Sequence, residues 1–199
     1  MLIPAPRLTA DQLSITRLVP PGSRVLDLGC GDGAMLEHLI RERACTGYGV
    51  EINDANVQAC VARGVNVIQL NLDEGLAMFA DASFDVVLQI DTLQHLHNTE
   101  VMLRETARVG RTGIVAFPNF GHWPNRLAVL RGRMPVTKVL PYQWYDTPNI
   151  RVGTLQDFAA LAQKNRLKII DSFGLQDGQE IRFWPNARAS RAVFKFQHG

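Results

Sequence analysis

The chain has 199 residues, enough for one substantial core and a single domain spanning 1–199. Apolar residues make up 46% and charged residues 20%, and 21 basic against 19 acidic side chains leave a net charge of +2. That balance argues against nucleic acid or a membrane as a partner held by bulk charge, and no apolar run approaches the ~20 residues of a membrane span. The start, MLIPAPRLTADQ, lacks the basic end and long apolar stretch of a secretory signal. The three cysteines (Cys30, Cys45 and Cys60) are odd in number, with no CxxC and no histidine at ligand spacing. Neither a disulfide framework nor a zinc site is expected; reduced thiols in a cytoplasmic protein are.

Residues 10–19 read as a leading helix through Leu13, Arg17 and Leu18, stopped by Pro20-Pro21-Gly22. Arg24–Leu28 reads as a buried strand. Gly33–Glu42 follows as a helix with Met35, Leu36, Leu39 and Ile40 on one stripe. Strands are then expected at Thr46–Val50, Val65–Leu70, Phe84–Gln89 and Gly113–Phe117, and helices at Asp54–Arg63 and Val101–Val109. Such alternation implies right-handed βαβ units and an α/β fold on a largely parallel sheet. Residues 118–153 break the rhythm with five prolines and with Trp123, Tyr142, Trp144 and Tyr145. They read as an inserted, partly irregular segment lying on the sheet. Thr154 reads as a helix N-cap with Asp157 three residues on, a weaker form of the capping box. Lys168–Phe173 and Ala192–Phe196 read as late strands, paired as a terminal hairpin.

The first strand runs directly into Asp27-Leu28-Gly29-Cys30-Gly31-Asp32-Gly33. Glycines at alternate positions permit a tight turn and let a ligand approach bare backbone, beside the free N–H groups that open a helix. In open α/β sheets ligands bind at the carboxyl ends of the strands. Glu51, at the end of the second strand and 22 residues after Gly29, is placed to accept both hydroxyls of a ribose. Gly29-x-Gly31-x-x-Ala34 also satisfies the dinucleotide fingerprint, so NAD fits the same plan. Asp27 separates the two. A pyrophosphate is repelled by an extra carboxylate, whereas the α-amino group and sulfonium of S-adenosylmethionine are cations.

VLDLGCGDG resembles the first motif of the class I S-adenosylmethionine-dependent methyltransferases, YGVE the second, and SFDVVLQIDTLQHL the fourth-strand motif. Within that superfamily the chain is similar to the MetW family of methionine biosynthesis proteins along nearly its whole length. IQLNLDEGLAMFADASFDVVLQIDTLQHLHN, VAFPNFGHWPNRLAVLRGRMPVTKVLPYQWYDTPNIR and SRAVFKF carry that closer match. The resemblance implies a Rossmann-like, seven-stranded sheet with a late antiparallel hairpin. It implies that Asp27, Gly29, Cys30 and Gly31 line the methionine end of S-adenosylmethionine (or S-adenosylhomocysteine) and that Glu51 meets the ribose. Ile52 is then expected to pack on the adenine, Asn71 and Leu72 to meet its edge, and Gln89 to stand near the methyl group. The superfamily commonly has aspartate where this chain has Asn71, so that bond lacks charge assistance. The resemblance also implies a partner, homoserine O-acyltransferase, which the chain supports or regulates. An independent small-molecule methyltransferase is the alternative, and a fold alone does not decide between them.

Methyl transfer needs mainly alignment, so the lack of an evident base does not exclude catalysis. Asp91, His95 and His97 near the fourth strand, and Asn119, His122 and Tyr142 near the fifth, are the candidates. His95 and His97 lack a third ligand for a metal, and His95 reads as a structural cap. Asp91 could equally cap the helix that follows. Trp123, Trp144 and Tyr145 read either as a substrate wall or as a cover for the sheet. Arg126, Arg131, Arg133 and Lys138 form either a solvated face or a docking face for an acidic protein.

Overall fold

A computed structural model describes residues 8–199; the reading of residues 1–7 lies outside the described residues. The alternation of strands and helices is present as expected. Strands β1 (Arg24–Leu28), β2 (Thr46–Glu51), β3 (Val67–Gln69), β4 (Phe84–Ile90) and β5 (Gly110–Pro118) are all parallel. β6 (Leu167–Gln176), β7 (Gln179–Ile181) and β8 (Arg191–His198) complete one sheet of order β3-β2-β1-β4-β5-β8-β6-β7. β8 runs antiparallel to both β5 and β6. The described residues therefore form eight strands, which corrects the expected seven. The additional one, β7, pairs with the end of β6 across Asp177 and Gly178, both at positive φ (50° and 83°). That is the backbone a two-residue hairpin requires, and Asp-Gly supplies it.

Side-chain alternation along the strands sorts the core into two layers. Leu26 and Leu28 of β1 and Val87 of β4 face α4 (Thr99–Val109) and α6 (Leu155–Lys164), through Leu103 and Phe158. Val25, Val86 and Leu88 face the other way, onto α1 (Ala10–Thr16) and α2 (Ala34–Arg43), through Ile15, Leu36 and Leu39. Cys60 of α3 (Asp54–Ala62) belongs to this second layer. The leading helix is shorter than 10–19, and it buries Ile15 and Thr16 rather than Leu13, which is exposed. α6 begins with the full reciprocal cap, with Thr154 Oγ1 accepting from Asp157 N and Asp157 Oδ2 accepting from Thr154 N.

The segment 118–153 is less irregular than its prolines suggest. Trp123–Leu130 forms α5, with Pro124 in its first turn, where a missing N–H leaves no helical bond unmade. α7 is a single turn, Pro185–Arg188.

Candidate functional site

The strand order reverses between β1 and β4, the point at which open α/β sheets form a ligand crevice. The chain leaves β1 there through Gly29, Gly31 and Gly33, with φ of 72°, 56° and 77°. Each lies in the left-handed region that side chains disfavour. Space forbids a side chain at two of them as well. A Cβ on Gly29 would stand 2.5 Å from Thr92 Oγ1, and one on Gly33 2.9 Å from Cys60 Sγ. A Cβ on Gly31 would meet nothing within 4 Å, so its backbone faces open space. Asp32 Oδ1 accepts from Ala34 N and starts α2 in place of a side-chain cap at Gly33.

Asp27 pairs with Gly49 and Leu88 in register, in the middle of the sheet. It is 3% exposed, and among the described residues no group donates a hydrogen bond to its carboxylate. Burial, and then the negative charge of Glu51, pushes its pKa up to about 7. Glu51 lies on the same face. Its Oε2 accepts from Gly31 N at 2.9 Å, and its Oε1 accepts from Ile52 N at 2.8 Å and Asn53 N at 2.9 Å. These bonds aim the carboxylate and tie the turn after β1 to the end of β2. The site thus presents a rigid anion, Glu51, beside an unsatisfied buried acid, Asp27, under exposed glycine backbone. Ile52, 60% exposed, offers an apolar face at the end of β2, and Asn71 stands at the end of β3.

The remaining expected site residues are placed differently. The Cys30 side chain turns under the loop, 3.8 Å from Cys60 Sγ, and burial raises the pKa of both thiols. Cys30 therefore offers a ligand only its backbone. Asn71 Oδ1 accepts from Asp73 N and caps a short 3-10 turn. The Leu72 side chain is buried in the α4 layer, which leaves its backbone for an adenine edge. Gln89 differs from its expected place. Leu88 shares a face with Asp27, so alternation sends Gln89 to the opposite face, where its amide donates to Thr106 Oγ1 of α4. It is fully buried.

The candidate reactive residues are likewise committed to structure. Asp91, at φ 56°, pairs with Arg191, whose Nε also pairs with Asp11 at 3.1 Å. His95 Nδ1 lies 3.0 Å from Pro148 O. His97 Nδ1 lies 2.9 Å from Asp73 Oδ2, and this contact holds the Asp73 pKa below its usual range. No cluster of His, Cys, Asp or Glu among the described residues could hold a metal. Asn119 is fully buried, donating to Asn186 O and Ala189 O and accepting from Gly121 N. Burial lowers the pKa of His122. Trp123, Tyr142, Trp144 and Tyr145 are all exposed, so they do not cover the sheet. Lys138 pairs with Asp177. Sequence reasoning missed Gln94, whose buried amide oxygen has no partner. Nothing in its spacing marks it.

Comparison with known proteins agrees with this architecture. The chain is similar to an S-adenosylmethionine-dependent methyltransferase from Thermotoga maritima, with 19% identity, TM-score 0.67, and 95% of this chain and 88% of that one covered. It is also similar in fold to the [4+2]-cyclase SpnF, with 16% identity, TM-score 0.63, and 96% and 84% covered. The shared fold thus serves more than one chemistry. Among curated proteins it is 37% identical over 204 residues to the bifunctional methionine biosynthesis protein MetXA/MetW of Rhodopirellula baltica. That match covers 95% of this chain and 33% of the relative, so the chain spans about a third of that protein's length. A family described as methionine biosynthesis protein MetW matches residues 9–196, and the chain belongs to that family.

Proposed function

We propose that the crevice at Asp27, Gly29–Gly33 and Glu51 binds S-adenosylmethionine, and that the chain uses it as an accessory of homoserine O-acyltransferase in methionine biosynthesis. The observation that carries the cofactor assignment is the Asp27 carboxylate, buried and without a donor. A cation beside it removes that penalty, and the α-amino group and sulfonium of S-adenosylmethionine are cations. A pyrophosphate would enlarge the penalty, so the same residue disfavours NAD. Glu51 is already aimed by three backbone N–H groups and keeps lone pairs for ribose hydroxyls. Bare backbone at Gly31 allows close approach, and Ile52 supplies apolar surface for a purine ring. Bound there, S-adenosylmethionine would supply an electrophilic methyl group; S-adenosylhomocysteine would fit the same groups. The relative that joins MetXA to MetW in one polypeptide supports the partnership.

Independent methyl transfer is less well supported. Gln89 and Asn119, where an acceptor pocket is expected, are both committed to the core. Calorimetric titration with S-adenosylmethionine, S-adenosylhomocysteine and NAD tests the cofactor. Both adenosyl ligands should bind and NAD should not. Asp27→Asn and Glu51→Ala should each lose on the order of 1–3 kcal/mol. Tight binding indifferent to both substitutions would overturn the assignment. Co-purification with homoserine O-acyltransferase, and its rate with and without the chain and S-adenosylmethionine, tests the partnership.

A further inference from the structure

A cavity of about 440 Å³ lies on the α4/α6 side of the sheet, opposite to the face that carries Asp27 and Glu51. Leu93, Phe117, Phe120, Phe158 and Leu161 give it an apolar wall. Its outer side is the returning chain at 149–153, held by backbone bonds. Ile150 N and Arg151 N both donate to Gln94 O, at 3.0 and 3.1 Å, and Phe120 N donates to Gly153 O at 3.0 Å. The volume and the mainly apolar lining are those of a small-molecule site.

The polar groups on the lining limit what could enter. Every ionisable one already has hydrogen-bond partners. His97 pairs with Asp73, Glu100 with Lys164, and Asp157 with the Thr154 cap. Both terminal nitrogens of Arg151 donate to carbonyls, those of Ile150 and His97. Gln94 differs. It is 8% exposed, its side chain makes no hydrogen bond among the described residues, and its Oε1 is buried without a partner. A buried amide oxygen left unpaired has lost its water without gaining a bond, a cost that a ligand recovers.

We propose that this cavity is a second small-molecule site, separate from the crevice. Its ligand is a neutral, largely apolar compound whose one polar group both donates and accepts at the Gln94 amide. A charged ligand would bury its charge among Phe117, Phe158 and Leu161. A purely apolar ligand would leave the amide unsatisfied. The wall between the two sites is short. Thr92 packs against Gly29 and donates to Leu28 O at 2.7 Å, and Leu93 and Gln94 follow it directly into the cavity lining.

The test uses two naphthyl probes followed by fluorescence polarisation, 2-naphthamide and the apolar 2-methylnaphthalene. The wild-type chain should bind 2-naphthamide saturably and at least tenfold more tightly than 2-methylnaphthalene. Gln94→Leu should weaken 2-naphthamide at least tenfold and leave 2-methylnaphthalene within threefold. Val152→Trp should weaken both. Val152 lines the cavity yet is 64% exposed, so a larger side chain there fills the opening without entering the core. Absence of saturable binding, or binding that ignores both substitutions, would overturn the proposal. Neither outcome depends on what the crevice binds.

Discussion

The two halves of the molecule use polar groups in opposite ways. Around the first three strands Asp27 is fixed by strand register and Glu51 by backbone N–H groups, and the glycine turn has no room for side chains at Gly29 or Gly33. In the 118–153 segment Trp123, Tyr142, Trp144 and Tyr145 point outward, while the polar residues Asn119 and Asn125 are fully buried as internal braces. A rigid ligand cradle and an outward aromatic surface thus share one sheet. The first kind of region should be intolerant of change and the second tolerant.

Gly29→Val should have the largest effect. It forces a β-branched residue to φ 72°, against a Thr92 hydroxyl already bonded to Leu28 O. A loss of about 3 kcal/mol or more in urea unfolding is expected, together with loss of cofactor binding. A loss below 1 kcal/mol would mean that the turn is not rigid.

Asp27 should make ligand-free stability depend on pH. Its folded pKa, about 7, lies above its ordinary 3.8. The folded protein therefore holds a proton that the unfolded chain releases, and stability falls as pH rises from about 4 through 7. The drop should be on the order of 2–4 kcal/mol and should vanish in Asp27→Asn. A cation bound beside Asp27 lowers its pKa, so cofactor binding should release protons near pH 6. Calorimetry in buffers of different ionisation enthalpy measures that release.

Thr106→Val removes the partner of the Gln89 amide and should cost about 1–3 kcal/mol without altering cofactor affinity. A change in affinity would restore Gln89 to the crevice. Trp144→Ala should be the mildest, within about 0.5 kcal/mol, because Trp144 is 71% exposed.

The parallel βαβ framework was legible because its periodicity runs through long, apolar strands. β7 was not. Gln179–Ile181 is short and mostly polar, and the informative signal was Asp177-Gly178, a hairpin turn lying outside any hydrophobic run. α5 was hidden among the five prolines of 118–153, although proline is harmless in the first turn, where Pro124 stands. The crevice was partly legible, since Asp27 and Glu51 stand at strand ends beside glycine. Gln89 shows the limit. Its distance along the chain is right, but only the pairing of Leu88 with Asp27 reveals which face it takes. Gln94 follows β4 in a 3-10 turn, and no periodicity reports which of its atoms go unbonded.

The sheet ends on either side in a strand of three residues, β3 and β7. On the β3 side an edge that short offers few free backbone groups to an incoming strand. On the other side β7 pairs with β6 only over Gly174, Leu175 and Gln176, so residues 167–173 form a longer open border. Strand addition is therefore favoured at β6 over β3, and the charged Lys168 and Asp171 on that border work against it.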